Sequence, residues 1–298
     1  MSNLKTLKTR IKSVKSTQKM TKAMKMVAAS KLRKAKLAVE SSRPYAAKID
    51  ELITNIAGNI DFRGNLSDDF TLLTGREEEK THLVVVLTSD RGLCGGLNTS
   101  AVKFAKLRIK ELVAQGREVK IICVGKKGYD QLKIAHQDKI IDHISGIFRN
   151  NIDYKTAEEI TNKIISLFKD KVFDVCEVVY SKFKSAIAQE ASIKQIIPIK
   201  INREKVGEDI SKYDSPIDYE PNKEEILHTL LPRNLTTQIF NQLLENSSSE
   251  QGARMAAMES ATNNAGKMIK ELTLVYNRTR QANITKELID IVSGANAV

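Results

Sequence analysis

The chain has no tryptophan, and its eight Phe and seven Tyr are unevenly spread over 298 residues. Thirteen of those rings lie between residues 61 and 249, leaving only Tyr45 and Tyr276 outside. Large rings dominate globular cores, so the two ends of the chain are not expected to be globular domains. Cysteine is scarce too: Cys94, Cys123 and Cys176 are far apart and form no CxxC pair. An odd, scattered set excludes a disulfide framework and points to a reducing compartment. Cys123 and Cys176 sit in apolar runs and read as small buried hydrophobes, whereas Cys94 falls in a loop and is expected to be exposed. The longest uninterrupted apolar run is Leu83–Leu87, far short of the ~18 residues that a spanning helix needs. The start, Met1-Ser2-Asn3-Leu4, lacks the apolar stretch of a secretory signal, and a soluble, intracellular protein is expected. Acidic residues are missing altogether from residues 1–39, which hold ten Lys and two Arg. The formal net charge is +12, so all of the excess sits in that segment and the rest is neutral.

Glycine is absent from Leu4 to about Ile56, and the only proline there is Pro44. Leu4, Leu7, Ile11 and Val14 repeat with the 3,4 spacing that marks one seam of a helix. Lys5, Lys8, Lys12, Lys15, Lys19 and Lys22 follow the same alternation one residue later, which sets a cationic stripe about 100° around the helix. The strict repeat lapses after Val14, because Gln18, Thr21 and Lys25 occupy its next slots. Met20, Met24 and Val27 are expected to carry the seam on in a shifted frame. At the other end, Lys223 to about Val292 reads as a second long helix, with Met258, Ala261, Ala265, Met268, Leu272, Val275, Thr279 and Ala282 on its seam. Gly252 and Gly266 are weak points costing about 1 kcal/mol each, and Pro232 is expected to kink or start the helix. Neither helix can bury its seam alone. An antiparallel coiled coil between the two ends satisfies both; the alternative is two amphipathic helices folded onto the middle of the chain, which offers too little surface for them.

The middle reads as a small α/β domain with a partly parallel sheet. Strands are expected at Leu83–Leu87, Val119–Val124, Val172–Tyr180 and Ile193–Ile201, and helices at about Thr99–Ala114 and Tyr154–Lys169. Asn98, Thr99 and Ser100 are candidate caps for the first of these helices. Residues 58–80 form a glycine-containing linker, and a loop with Pro216 and Pro221 leads into the last helix.

The turn Asp90-Arg91-Gly92-Leu93-Cys94-Gly95-Gly96 lies between a strand and a helix, the context in which phosphates are cradled. It lacks the Lys-Ser/Thr of a Walker A loop and does not fit GxGxxG. Gly125-Lys126-Lys127-Gly128 is weaker still, and a structural turn or a partner-contact loop is the preferred reading. Asp90 and Arg91 are placed to cap or pair locally. His82, His136, His143 and His228 form no HExxH or HxxxH set, so no metal or cofactor is expected. Cys94 has a nucleophile's chemistry but no specified His partner, and an enzyme acting on its own is not expected. The cationic helix is too biased for a solvated face, which normally mixes in Glu. Such a stripe fits phosphates or an acidic protein surface. Nucleic acid is the alternative function, a coiled-coil protein whose basic N-terminal helix tracks phosphates. Against it stand the lack of aromatic or Asn readers and a seam that demands a helix partner.

Thr17-Gln18-Lys19-Met20-Thr21-Lys22-Ala23-Met24-Lys25-Met26-Val27-Ala28-Ala29-Ser30-Lys31-Leu32-Arg33 resembles the N-terminal signature of the gamma subunits of F-type ATP synthases. Asp90-Arg91-Gly92-Leu93-Cys94-Gly95-Gly96-Leu97-Asn98 is similar to a second family motif. The run from Leu272 through Arg278-Thr279-Arg280-Gln281-Ala282-Asn283-Ile284-Thr285 to Gly294 is similar to a third. The resemblance spans the chain and is loosest after Val119. It implies an α+β/α architecture: a long antiparallel coiled coil of residues 1–57 and 223–298, with a Rossmann-like domain at 81–205 between a linker (58–80) and a loop (206–222). It further implies a non-catalytic rotor shaft that couples transmembrane proton flow to ATP synthesis or hydrolysis. The implied partners are a ring of alpha and beta subunits, the epsilon subunit and the membrane c-ring, with no specific nucleic acid and no direct membrane insertion. The implied beta-subunit contacts are Lys19, Lys22, Met24, Lys25, Arg280, Gln281 and Thr285. The absence of a presequence before Met1 points to a bacterial source and a peripheral position on the cytoplasmic face of the inner membrane. Nothing resembles the cysteine-bearing regulatory insertion of chloroplast relatives, so thiol control is not expected.

Overall fold

In the computed structural model, residues 4–58, 70–76, 78–149, 152–200, 220 and 222–295 are described. Most of the sequence-expected linker (59–69 and 77) and loop (206–219 and 221), with Pro216, Pro221 and the strand end at Ile201, lie outside them. The chain divides into two compact units, Met1–Ser30 with Arg254–Val298, and Lys31–Ala253.

The terminal helices are α1, Leu4–Gly58, and α6, Lys223–Ala295. Both run antiparallel within each unit. In the first, Thr21 meets Thr262 and Lys25 meets Glu259; in the second, Ser42 meets Asn241 and Asp50 meets Asn234. Helix α6 begins nine residues before Pro232 and continues through it, Gly252 and Gly266 without a break. Pro232 therefore does not start the helix. Packing outweighs the missing donor, since Leu227, Leu231, Leu235 and Ile239 around it are buried.

Between the ends lie β1 (Thr81–Leu87), α3 (Leu97–Ala114), β2 (Glu118–Val124), α4 (Lys126–His136), β3 (Ile140–Ile144), α5 (Tyr154–Lys169), β4 (Val175–Phe183) and β5 (Gln189–Ile197), after a single turn of helix, α2 (Thr71–Thr74). The sheet has the order β3-β2-β1-β4-β5, parallel except for β5. β1 is buried on both faces, as an interior parallel strand must be. Leu83, Val85 and Leu87 face a core shared with α5 and with the α1 and α6 segments of the same unit. Val84 and Val86 face the opposite core, under α3 and α4.

Several expectations shift. α3 starts at Leu97 behind an N-cap Gly96 with no side-chain cap, so Asn98, Thr99 and Ser100 are helical residues and none is the cap. Asn98 instead turns inward, where its Oδ1 accepts from the Ser89 amide at 3.0 Å. β4 and β5 are displaced from their expected spans. α4 and β3 were not anticipated: α4 buries only Gly128 and Leu132, and edge strand β3 no residue fully.

From Asn234 to Ala253 nearly every position of α6 is buried, although most residues there are polar. Asn234 donates to Asp50, and Gln238 in turn donates to Asn234. A polar helix enclosed in this way contributes specificity of register more than net stability.

Candidate functional site

In the unit formed by the chain's two extremities, the α1 seam runs through Leu4, Leu7, Ile11, Val14, Gln18, Thr21, Lys25 and Ala28, all buried or half-buried. The 3,4 repeat therefore does not shift at Gln18. It continues with polar residues because α6 presents polar and small ones opposite. Thr21 Oγ1 lies 2.7 Å from Thr262 Oγ1, and Lys25 Nζ lies 2.7 Å from Glu259 Oε1. A Cβ on Gly266 would stand 3.0 Å from Gln18 Nε2, so the glycine admits that side chain. Met20 and Val27 are exposed, and only Met24 of the expected shifted set is half-buried. On α6 the seam passes through Met258, Ala265, Ile269, Leu272, Tyr276 and Thr279, while Met268, Val275 and Ala282 lie outside it.

The outer face of α1 keeps its cations in solvent: Lys5, Lys8, Lys12, Lys15, Lys19 and Lys22 are exposed. Of the sequence-predicted contact residues, Lys19 and Lys22 stand on this stripe. Met24 and Lys25 sit at its edge, and Lys25 already has Glu259 as a partner. Arg280, Gln281 and Thr285 are exposed near the end of α6, with the Thr285 hydroxyl donating to the Gln281 carbonyl. The two groups thus occupy different helices.

The antiparallel register leaves the last turns of α6 without α1 beside them. Every described side chain from Gln281 to Ser293 is exposed. Ile284 (48%), Leu288 (58%) and Ile291 (67%) fall on one face at helical spacing. An apolar stripe without a covering element within the unit is the mark of an interaction surface. The sequence periodicity was legible here; its lack of a partner follows only from the register.

The glycine-rich turn after β1 is a structural hub. Asp90 Oδ1 accepts from the Lys126 and Gly146 amides at 3.2 and 3.0 Å, and Oδ2 from the Phe148 amide at 3.1 Å. One carboxylate thereby ties the loops after β1, β2 and β3. Arg91 and Leu93 point outward, Leu93 with a left-handed φ of 65°; Gly95 and Gly96 are exposed and Gly92 half-exposed. Cys94, expected in an exposed position, is 1% exposed. It is held inward by packing with Leu97 and Ala253, and Asn98 Nδ2 donates to its Sγ at 3.2 Å.

The same geometry closes the weaker of the two phosphate candidates, Gly125-Lys126-Lys127-Gly128. The first three amides of α4 are taken by the chain itself: Lys126 by Asp90, Lys127 by the Ser89 carbonyl at 3.0 Å and Gly128 by Thr88 Oγ1 at 2.9 Å. Gly125, with φ of 105°, lies so close to β1 that a Cβ would stand 2.1 Å from the Thr88 carbonyl oxygen. Both glycines of Gly125-Lys126-Lys127-Gly128 serve this crossing. Among the described residues there is no cluster of His, Cys, Asp and Glu able to hold a metal. Burial pushes the Cys123 thiol up to about 12 and that of Cys176 well above its ordinary value, so both are inert.

The fold and these surfaces define a class: a coiled-coil protein with an inserted doubly wound domain, whose basic face and uncovered helix end are built to meet other chains. A family model described as ATP synthase matches residues 3–298. The chain is 50% identical over 298 residues to the ATP synthase gamma chain of Pelagibacter ubique (strain HTCC1062), covering 100% of both. It is 49% identical over 299 residues to the ATP synthase gamma chain of Beijerinckia indica subsp. indica, again covering 100% of both. Among solved structures it is similar to a chain of the central stalk and c-ring of the Tetrahymena thermophila mitochondrial ATP synthase. That match has 28% identity and a TM-score of 0.58, and covers 81% of this chain and 99% of the other. The chain belongs to the ATP synthase gamma-chain family, with the fold of the central-stalk rotor. The nucleic-acid reading finds no support in these likenesses. No described helix is long and apolar enough to cross a membrane.

Proposed function

We propose that the chain is the non-catalytic shaft of an F-type ATP synthase, turning inside a ring of alpha and beta subunits and carrying proton-driven rotation to their catalytic sites. In this reading α1 and the end of α6 meet the ring. The α/β domain meets the epsilon subunit and the c-ring at the cytoplasmic face of the inner membrane. The observation that carries it is the end of α6, where Ile284, Leu288 and Ile291 stand exposed with no α1 residue beside them. A surface of that kind calls for a sleeve from outside the chain.

The chemistry suits a part that must move. The Lys stripe offers attraction that is long-ranged and weakly directional, so it favours docking against acidic loops without fixing one angle. Lys19, Lys22, Met24 and Lys25 would meet beta-subunit levers, and Arg280, Gln281 and Thr285 a beta-subunit loop through hydrogen bonds. Loop Asp90–Gly96, with Asp90 and Cys94 turned inward, would act as scaffold.

The test is a mild-detergent pull-down of the tagged chain from its own cells, assayed for co-purifying subunits and ATPase activity. Two larger subunits in equal amounts, each in excess over this chain and active in ATP hydrolysis, are expected. Nucleic acid in their place would overturn the assignment.

A further inference from the structure

In doubly wound sheets, ligands bind in the crevice beyond the carboxyl ends of the strands, where the strand order reverses. Here the reversal lies between β1 and β4. That crevice is occupied by the chain's own helix. Ala253 packs with Cys94 and Leu97. A Cβ on Gly252 would lie 3.1 Å from Phe183 Cε2 and 3.4 Å from Ala186 Cα, so a larger residue would have to push the Phe183 ring back by a few tenths of an ångström.

Beneath that contact β4 outruns β1. Their pairing ends at Val86 opposite Val179. Two residues on, strand alternation turns the Ser181 N–H and C=O to the same side as those of Val179. No strand is there to receive them. The Ser181 amide donates to Asn246 Oδ1 at 3.3 Å, and the Ser249 hydroxyl donates to the Ser181 carbonyl at 2.8 Å. Ser181, Asn246 and Ser249 are 2%, 1% and 0% exposed. Residues three apart share a helix face, so together they offer one acceptor and one donor, as a neighbouring strand would.

We propose that Asn246 and Ser249 stand in for the missing strand and make this crevice the anchor through which the α/β domain and α6 turn as one body. They are positioning residues, not among those proposed above to meet the ring, and the inference rests on the rotor reading above. Apolar packing is non-directional and yields to sliding. Two directional bonds to a strand backbone, made by side chains that are themselves buried, do not. The same face carries Gln242, 3% exposed, with neither amide atom hydrogen-bonded. A surface shaped for burial alone would place an apolar residue there.

The test compares Asn246→Leu/Ser249→Ala with the parent in inverted membrane vesicles holding equal amounts of assembled complex. ATP hydrolysis should stay within about twofold, while protons pumped per ATP fall severalfold, because both buried hydrogen bonds to the Ser181 backbone are gone. Ser249→Thr, which keeps the hydroxyl, should restore pumping to Ser249→Ala vesicles. An unchanged ratio of protons to ATP in the double variant would overturn the anchor while leaving the rotor reading intact. Should the double variant not assemble, Ser249→Ala alone carries the test: an unchanged ratio overturns the anchor, and a partial loss reversed by Thr supports it. Parent vesicles in which this chain is absent from the active complex would instead remove the rotor reading.

Discussion

At the scale of single residues, a few polar side chains tie the loops at the two ends of the sheet by bonding to backbone. Asp90 is the clearest case, because its two oxygens receive three amides from the loops after β2 and β3. Arg76 does the same at the other end of the sheet. It donates to the Phe173 and Phe168 carbonyls, pairs with Asp174 at 3.2 Å and stacks 4.3 Å over the Phe168 ring. Removing such a hub leaves several donors unpaired at once. Asp90→Ala should therefore lower the unfolding free energy by about 2–4 kcal/mol, read from urea titration of the full chain. Its exposed neighbour is the control, with Arg91→Ala staying within ~0.5 kcal/mol. Equal midpoints for the two variants would show that the loops keep their amides satisfied without the carboxylate. The adjacency of Asp90 to a glycine-rich turn was readable in the sequence. Its role as a three-way tie was not, because Gly146 and Phe148 lie more than fifty residues away.

At the scale of elements, legibility followed apolar periodicity. α1, α5 and the interior strands were found where period and composition agree. α4 and β3 were missed because each lies at a margin of the sheet and buries few residues. The polar stretch Asn234–Gln251 gives no sign of burial, since what encloses it comes from elsewhere in the chain. The α1 seam was misread at Gln18, Thr21 and Lys25 for a related reason. An apolar criterion sees a lapse, whereas the partner helix offers Thr262, Glu259 and Gly266, which fit polar side chains. Such layers fix register at a cost in stability. Thr21→Val with Thr262→Val replaces a hydroxyl pair by similar volumes of hydrocarbon, and should raise the stability of the coil by about 1 kcal/mol. Circular dichroism during thermal unfolding measures it. A loss of comparable size would show that the 2.7 Å hydroxyl contact contributes net stability as well as register.

For the whole molecule, the decisive property is the separation of charge from apolar contact. Cations are concentrated on α1, while the exposed apolar stripe of Ile284, Leu288 and Ile291 belongs to α6. The two act over different distances. Charges on an exposed face are felt over about 10 Å at 0.1 M salt and govern the rate of encounter. Apolar contact acts only once surfaces touch, and governs how long they stay together. A shaft that meets its ring in this way should show separable rates. Replacing Lys8, Lys12, Lys15 and Lys19 with Gln should slow reassembly with isolated alpha and beta subunits by about tenfold at low salt. It should also flatten the salt dependence of that rate, and leave the dissociation rate within about twofold. Leu288→Ala, on the uncovered stripe of α6, should do the reverse: near-parental association and severalfold faster release. Stopped-flow fluorescence at two ionic strengths reads both rates. If the Lys variant kept the parent's salt dependence, the stripe would not face an acidic surface, and the docking force would have to come from the end of α6 alone.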